Sequence, residues 1–371
     1  MTRPIDTSLE QRLPLSNTLE LRRRFMVVKA PVPGNLRVGR LLEAIDGLAE
    51  QVALRHTRRT APQAYVVTAA VDQVVLRTPP DVTRDIVLKA RLNWVGQSSM
   101  EVGIRVEQPG AKAAHVASCY FTMVARVGEG DAAQSIAVDP LEYSDQIDQR
   151  RRDKAVRRRE AYRKQRASEP RPPTRAEYQV LAQLHAAQEQ PGFAGYLAGR
   201  LTSMAWERVY PEQEHVPSKA FGGYLVRRAY ELATIQAEEI APDRPVIARV
   251  HRINFLQPVR IGDKLRLQSR VVYTGRTSVT VDVTIERISW DRVTRALCNT
   301  CVFTFVNVDE RMTPQPVPPL YPTTYAEDAR YLEAYRWHRR LKARRAAQGR
   351  LGVPNPGTPP YAQWPTPLPE G

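Results

Sequence analysis

"RVVYTGRTSVTVDVTIE", Arg270–Glu286, reads as two β-rich runs joined by a Thr-Gly-Arg-Thr turn. The same shape occurs again as "RLNWVGQSSMEVGIRVE" at Arg91–Glu107. Working outward, "RPVIARVHRINFLQP" (Arg244–Pro258) parallels "YVVTAAVDQVVLRTP" (Tyr65–Pro79). Gly275 pairs with Gly96, Pro258 with Pro79 and Glu286 with Glu107, each pair 179 positions apart. A constant offset over about four dozen residues marks a degenerate tandem repeat. Each copy opens on a helix, Leu36–Thr57 and Gly223–Ile240. Four strand-like runs follow, near Tyr65–Val75, Ile86–Val95, Met100–Val106 and His115–Ala125 in the first copy. In the second they lie near Val246–Leu256, Lys264–Tyr273, Ser278–Ile285 and Thr294–Val306. A further strand is expected before each helix, at Arg24–Lys29 and Met204–Val209. One helix followed by a meander of strands is an α+β unit, not an alternating α/β one.

The 371 residues, 42% of them apolar, suffice for two ordinary domains. The net charge of +16 suggests an anionic partner, but it is concentrated. Arg150–Arg166 holds ten Lys/Arg against two Asp/Glu, and Glu327–Arg350 eight against three, so the rest of the chain is close to neutral. The first of these segments separates the copies. It has helix formers and no apolar stripe, and so reads as a solvated helix or tether, dispensable for chemistry. No aromatic platform or known motif supports a nucleic-acid role. After Val308, "MTPQPVPPLYPTT" must be extended, and a basic helix at Tyr325–Ala347 leads into a Pro/Gly-rich tail. The resulting division is 1–23 (extension), 24–142 (first domain), 143–190 (basic linker), 191–310 (second domain) and 311–371 (Pro-rich tail with basic helix).

Cys119, Cys298 and Cys301 are too few for a disulfide scaffold. Cys298 and Cys301 form a CxxC inside a strand-like run with no second ligand pair, which reads as buried thiols, not a metal site. The N-terminus has no apolar signal-like run and no stretch approaches a membrane span, so a cytoplasmic protein is expected.

"FGGYLVRRAYELA" (Phe221–Ala233) starts a helix on Gly222 and Gly223, the poorest ordinary helix formers. A helix N-terminus presents unpaired N–H groups and positive potential, and glycines there allow an oxygen to approach the backbone closely. "HVPSKAFGGYLVRRAYELA" (His215–Ala233), followed by "INFLQPVRIGDKLRLQSRVVYTGRTSVTVDV" (Ile253–Val283), resembles the hotdog-fold acyl-CoA thioesterases. "RVGRLLEAIDGLA" (Arg37–Ala49) and then "WVGQSSMEV" (Trp94–Val102) is similar to their double-hotdog, mitochondrial-type branch. The resemblance spans roughly 24–308, apart from the linker. It implies tandem hotdog domains, each a long helix wrapped by an antiparallel sheet, paired into one continuous sheet with sites at the pair interface. It further implies hydrolysis of acyl-CoA to free acid and coenzyme A. In that family pattern an acid lies seven or eight residues past the second glycine, and an Asn six residues before the Phe.

The chain departs from that pattern differently in each copy. Asp46 stands seven past Gly39, but Val38-Gly39 replaces the glycine pair. Glu231 stands eight past Gly223, Tyr230 occupies the commoner position, and His215 replaces the Asn. Seven or eight helical residues span roughly 10–12 Å, so an acid reaches only the N-terminus of the partner's helix. Asp46 is therefore expected to face Gly222, Gly223 and His215 in one working site, with Glu231 opposite Val38-Gly39 in a vestigial one. Asp46 would act as base or nucleophile, the Gly223 amide would hold the oxyanion, and His215 would donate a hydrogen bond as Asn would. The resemblance also points to Arg276, Thr277 and Ser278, with Lys219 beside the glycine turn, for the coenzyme A phosphates. Coenzyme A enters as part of the substrate. No separate cofactor or metal is expected, and double units are expected to form a homo-oligomer. Two rival readings are an enoyl-CoA hydratase using His251 and His56, which lack the spacing of such enzymes, and a non-catalytic acyl-thioester sensor or scaffold.

Overall fold

The structure, a computed structural model, describes residues 2–350 except 31, 73, 78, 111–113, 130–131, 168–170, 217–218 and 252; side chains at 165–167, 214, 216, 219 and 344–350 are likewise left undescribed. The Pro/Gly-rich tail after 350 lies outside the described residues.

The first half comprises β1 (Leu9–Leu13), α1 (Leu19–Phe25), α2 (Val38–Thr57), β2 (Tyr65–Val71), β3 (Val74–Leu76), β4 (Ile86–Val95), β5 (Ser99–Gln108), β6 (Ala114–Val127) and the short β7 (Gln134–Ser135). Two helices follow, α3 (Gln146–Ala167) and α4 (Arg175–Gln188). The second half begins with the short β8 (Tyr196–Leu197), the longer β9 (Thr202–Arg208), the pair β10 (Glu214–Val216) and β11 (Lys219–Ala220), and α5 (Gly222–Glu238). It continues with β12 (Arg244–Val250), β13 (Ile253–Phe255), β14 (Lys264–Thr274), β15 (Ser278–Ile288), β16 (Arg295–Val308), β17 (Leu320–Tyr321) and α6 (Tyr325–Arg350).

Strand pairing explains why the two copies make one body. The main sheet runs β1-β4-β5-β6-β2-β13-β16-β15-β14-β9, an order that is nearly a mirror image about the β2–β13 junction. There Ile253 pairs with Val71 and Asn254 with Ala70, while β12 meets β3 through Arg249–Val75 and Val250–Val74. Both long helices lie on the same side. Leu41, Leu42, Ile45, Leu48, Ala49 and Val52 form the buried stripe of α2, and Leu225, Val226, Ala229, Ala233 and Ala237 that of α5. This is the tandem α+β hotdog arrangement.

Two expectations are corrected. Arg24–Lys29 is not a strand: α1 ends at Phe25, and the edge strand is β1, from the stretch read as an extension, paired Leu9 to Ala90. The reason is Asn35, whose Oδ1 accepts from the Val27 and Val28 amides at 3.0 and 2.9 Å while its Nδ2 donates to the Val28 and Ala30 carbonyls. One buried side chain thus takes the backbone groups that a sheet ladder would use. The basic linker is not a solvated tether either. In α3, Ala155 is buried, the Arg158 guanidinium lies 3.6 Å over the Tyr120 ring and bonds Glu101, and Arg159 lies 4.5 Å over Trp94. Its docking face is built from arginine stems and planes on aromatic rings, which a search for apolar residues overlooks. The C-terminal basic helix α6 is held similarly, with Tyr331, Leu332 and Ala334 buried and Arg336 forked onto Glu177 of α4 at 2.8 and 2.9 Å. Cys298 and Cys301 are buried in β16, and burial pushes their thiols up to about 11 and about 12.

Candidate active site

Helices α2 and α5 run antiparallel along each other. Position by position, Arg37 meets Glu231, Glu43 meets Arg227, Asp46 meets the Gly222–Gly223 turn, and Glu50 meets His215. The cross-over expected from helix length is therefore present: each copy's acid lies against the other copy's helix start.

The glycine pair is explained by this crossing. A Cβ on Gly222 would stand 3.3 Å from Asp46 Oδ2 and 3.0 Å from the Phe255 ring; one on Gly223 would stand 3.1 Å from Asp46 Cβ. Only residues without a side chain let the carboxyl come this close to the opening amides of α5.

Asp46 is 1% exposed, and Thr68 of β2 donates to its Oδ1 at 2.7 Å. Oδ2 is buried and accepts no hydrogen bond of full geometry among the described residues, although the Gly223 N–H is turned toward the carboxyl. Burial, with a smaller push from Glu50, raises the Asp46 carboxyl to about 7; Thr68, Gly223 and His215 pull the other way by favouring the anion. The acid is thus poised between its two forms near neutrality. His215 packs in a tilted arrangement, 4.4 Å between ring centres, on Phe221, the residue preceding α5, and its Nε2 is paired with Glu50 of α2. That pairing holds the imidazole above its ordinary value despite burial. The ring therefore serves Glu50 first and reaches Asp46 through its charge.

The other arrangement is built differently. Tyr230, in the register position of Asp46, lies on Gly39, where an added Cβ would stand 3.1 Å from its ring. Its far side packs on Phe303 and Phe305. Glu231 is not free for chemistry: Arg37 donates to its Oε1 at 2.8 Å, Arg228 to its Oε2 at 3.0 Å, and Arg227 stands 3.6 Å away. An aromatic ring and an ion-pair cluster occupy what would be a second acid site.

The turn expected to meet the coenzyme A phosphates lies at the far end of the helix pair from Asp46. The Arg276–Ser278 turn is tied to Asn307 and Val317, and Ser278 pairs with Val306, which pairs with Val246. Val246 lies against Gly34, just ahead of α2, so this turn sits at the Tyr230–Glu231 end. Thr277 and Ser278 are buried there. The equivalent first-copy turn, ending at Ser99, instead shares a cavity with Phe255, whose ring touches Gly222. Lys219 lies in β11, next to the glycine turn, but its side chain is outside the described residues.

Comparison with known proteins fits this architecture. Residues 219–289 match the Thioesterase superfamily. The chain is 28% identical over 349 residues to the mitochondrial acyl-coenzyme A thioesterase 9 of Homo sapiens, an alignment covering 89% of this chain and 76% of that one. It is 34% identical over 122 residues to an uncharacterized acyl-CoA thioester hydrolase of Zymomonas mobilis, covering 32% of this chain and 79% of the relative. The chain belongs to the acyl-CoA thioester hydrolase family. Within this double-hotdog thioesterase, sequence reading missed Thr68, Glu50 and Phe255. Thr68 carried a signal: it is a polar residue in an apolar strand whose counterpart 179 positions on is Ile247. Glu50 is a helix acid like many others, and only the antiparallel crossing brings it to His215.

Proposed function

We propose that this thioesterase hydrolyses acyl-CoA to free acid and coenzyme A at the turn shared by Asp46, Thr68, Gly222 and Gly223. The observation that carries this is Asp46 Oδ2, buried against the opened start of α5 and without a hydrogen bond of full geometry among the described residues, on an acid poised near pH 7. In this reading Thr68 fixes Oδ1, leaving Oδ2 either to take a proton from water as it adds to the carbonyl, or to attack the thioester itself, expelling the thiolate and forming a mixed anhydride that water then cleaves to the free acid and the Asp46 carboxylate. The α5 amides at Gly222 and Gly223 polarise the thioester oxygen as it gains charge. On the water route the proton taken by Oδ2 passes to the departing thiolate as the C–S bond breaks; on the other the thiolate takes its proton from the water that cleaves the anhydride. In the free protein the Gly223 amide faces the acid, so substrate must compete with that contact. Glu231 has no part in turnover.

For the hydratase alternative, neither of the two histidines weighed for it is paired with an acid among the described residues. His251 bonds Thr304 at 2.8 Å, stacks on Trp337, and is pushed down to about 3 by burial. His56 is engaged with the Asp139 carbonyl. A homo-oligomer is part of the proposal, with Met204 and Trp206, exposed on edge strand β9, as surface for it to cover. No separate cofactor is assigned. The three cysteines are free, which suits a reducing compartment, cytoplasmic or organellar; no described helix is long and apolar enough to cross a membrane.

The test is thiol release from an acyl-CoA panel running from acetyl to palmitoyl, with crotonyl-CoA hydration as the control. Saturable thiol release without hydration is expected. Tight acyl-CoA binding with no turnover would instead identify a sensor.

A further inference from the structure

We propose that the outer face of the sheet carries a second site, in the groove between α3 and α6, for the adjacent phosphates of a nucleotide-like ligand. The groove is a cavity of about 1200 Å³ on the side of the sheet facing away from α2 and α5. Its floor is the junction of the two halves, around Arg77, Arg249 and His251, and its walls are α3 and α6. Such a volume suits a small molecule. It is recessed between two helices, where neither a lipid surface nor a nucleic-acid duplex could lie flat.

The charge of the lining is unbalanced. Arg77, Lys154, Arg157 and Arg340 line the cavity and make no salt bridge to a carboxylate among the described residues. The three acids of the lining already have cations beside them. Asp72 is 3.9 Å from Arg158, Asp282 is 3.6 Å from Arg270, and Glu333 feels Arg336. The four remaining cations come from three separate elements, the β3 end, α3 and α6, and converge on one space. Cations arranged in this way repel one another, a cost that several closely spaced anionic groups would relieve. This also gives the two basic segments, which carry most of the net charge, a use beyond holding the helices down.

The groove is also continuous with the first site. Asp72, Arg158, Tyr162, Asn254 and Leu256 line both it and a neighbouring cavity of about 590 Å³. The smaller cavity reaches Phe255, whose ring lies against Gly222. Adjacent phosphates can therefore arrive in two ways: as the head of coenzyme A on a substrate entering the first site, which rests on the function proposed above, or as a free nucleotide.

The experiment is calorimetric titration of the full chain with ADP and with coenzyme A, comparing the parent with Arg157→Gln/Arg340→Gln. Both replaced residues are exposed and lie outside the Asp46 site. Arg77→Gln, on a different element, is a second variant should the first not fold. A tenfold or greater loss of affinity for both ligands, with KM for acyl-CoA raised and kcat unchanged, assigns the groove to the substrate's head. The same loss for ADP with KM unchanged assigns it to a free nucleotide. Unaltered affinities in the variants, or no saturable binding of either ligand by the parent, overturn the proposal. Binding is read without turnover, so a failure of the hydrolysis reading leaves this result standing.

Discussion

At the scale of single residues, the account turns on a carboxyl made poor as an anion by burial and rescued in part by one hydroxyl. Thr68→Val removes the hydrogen bond that favours the Asp46 anion. A bond to a charged group is worth about 1.5–3 kcal/mol, so the acid should climb by roughly one to two pH units. The low-pH limb of kcat/KM should move upward by that amount, and an unmoved limb would show that Asp46 does not govern it. Stability gives an independent reading with a defined sign. The folded-state value of about 7 lies above the ordinary 3.8, so burying Asp46 costs little at low pH. The penalty grows as pH rises between those values and is complete above about 7, at most on the order of 4 kcal/mol. Asp46→Asn should therefore melt higher than the parent at pH 8 and converge with it toward pH 4. Melting curves at the two pH values check this; a lower midpoint at pH 8 would mean that the carboxylate is better solvated than its burial implies.

At the scale of elements, two antiparallel helices of similar sequence are put to different uses. Gly223→Ala should cost turnover on the order of 10²-fold, because the new methyl would crowd both the Phe221 ring (2.6 Å) and Asp46 Cβ (3.1 Å). Gly39→Ala, whose methyl would meet Tyr230 and Arg227 first, should leave kcat within a few-fold. Steady-state thiol release on the two variants measures both, and equal losses would mean that the two helix starts are equivalent. The core helices α2 and α5, the strand meander and the pairing of Asp46 with the glycine turn were legible in sequence, whereas α1 and α4 were not. Periodicity marks the elements and the repeat offset marks the domains, while helix rise, joined to the paired-domain interface that the resemblance implies, puts the acid at the partner's terminus. Three features were not legible, each for a physical reason. Arg158 and Arg159 dock through their planes, so an apolar count misreads α3 as solvated. Asn35 replaces a strand by bonding four backbone groups that a propensity reading assigns to a ladder. The resemblance points to Arg276–Ser278, but strand pairing sets that turn at the Tyr230–Glu231 end, a placement that the motif itself does not carry.

At the scale of the whole molecule, the halves form one sheet whose two faces are both occupied. The inner face holds α2 and α5, and the outer face is flanked by α3 and α6. The linker is consequently structural. Arg158→Ala would leave Glu101, 7% exposed, without its charge partner and would uncover Tyr120; a loss of about 3–5 kcal/mol is expected for such an orphaned buried charge. Urea unfolding checks it, and an unchanged midpoint would return the linker to the role of a tether. The central claim is that one of two pseudo-equivalent arrangements works. Its most direct test is kcat for acyl-CoA hydrolysis by Asp46→Asn and Glu231→Gln, measured side by side on folded protein. The account predicts a loss on the order of 10²–10⁴-fold for Asp46→Asn and a change of no more than a few-fold for Glu231→Gln. Retained turnover in Asp46→Asn, or its abolition in Glu231→Gln, would contradict it.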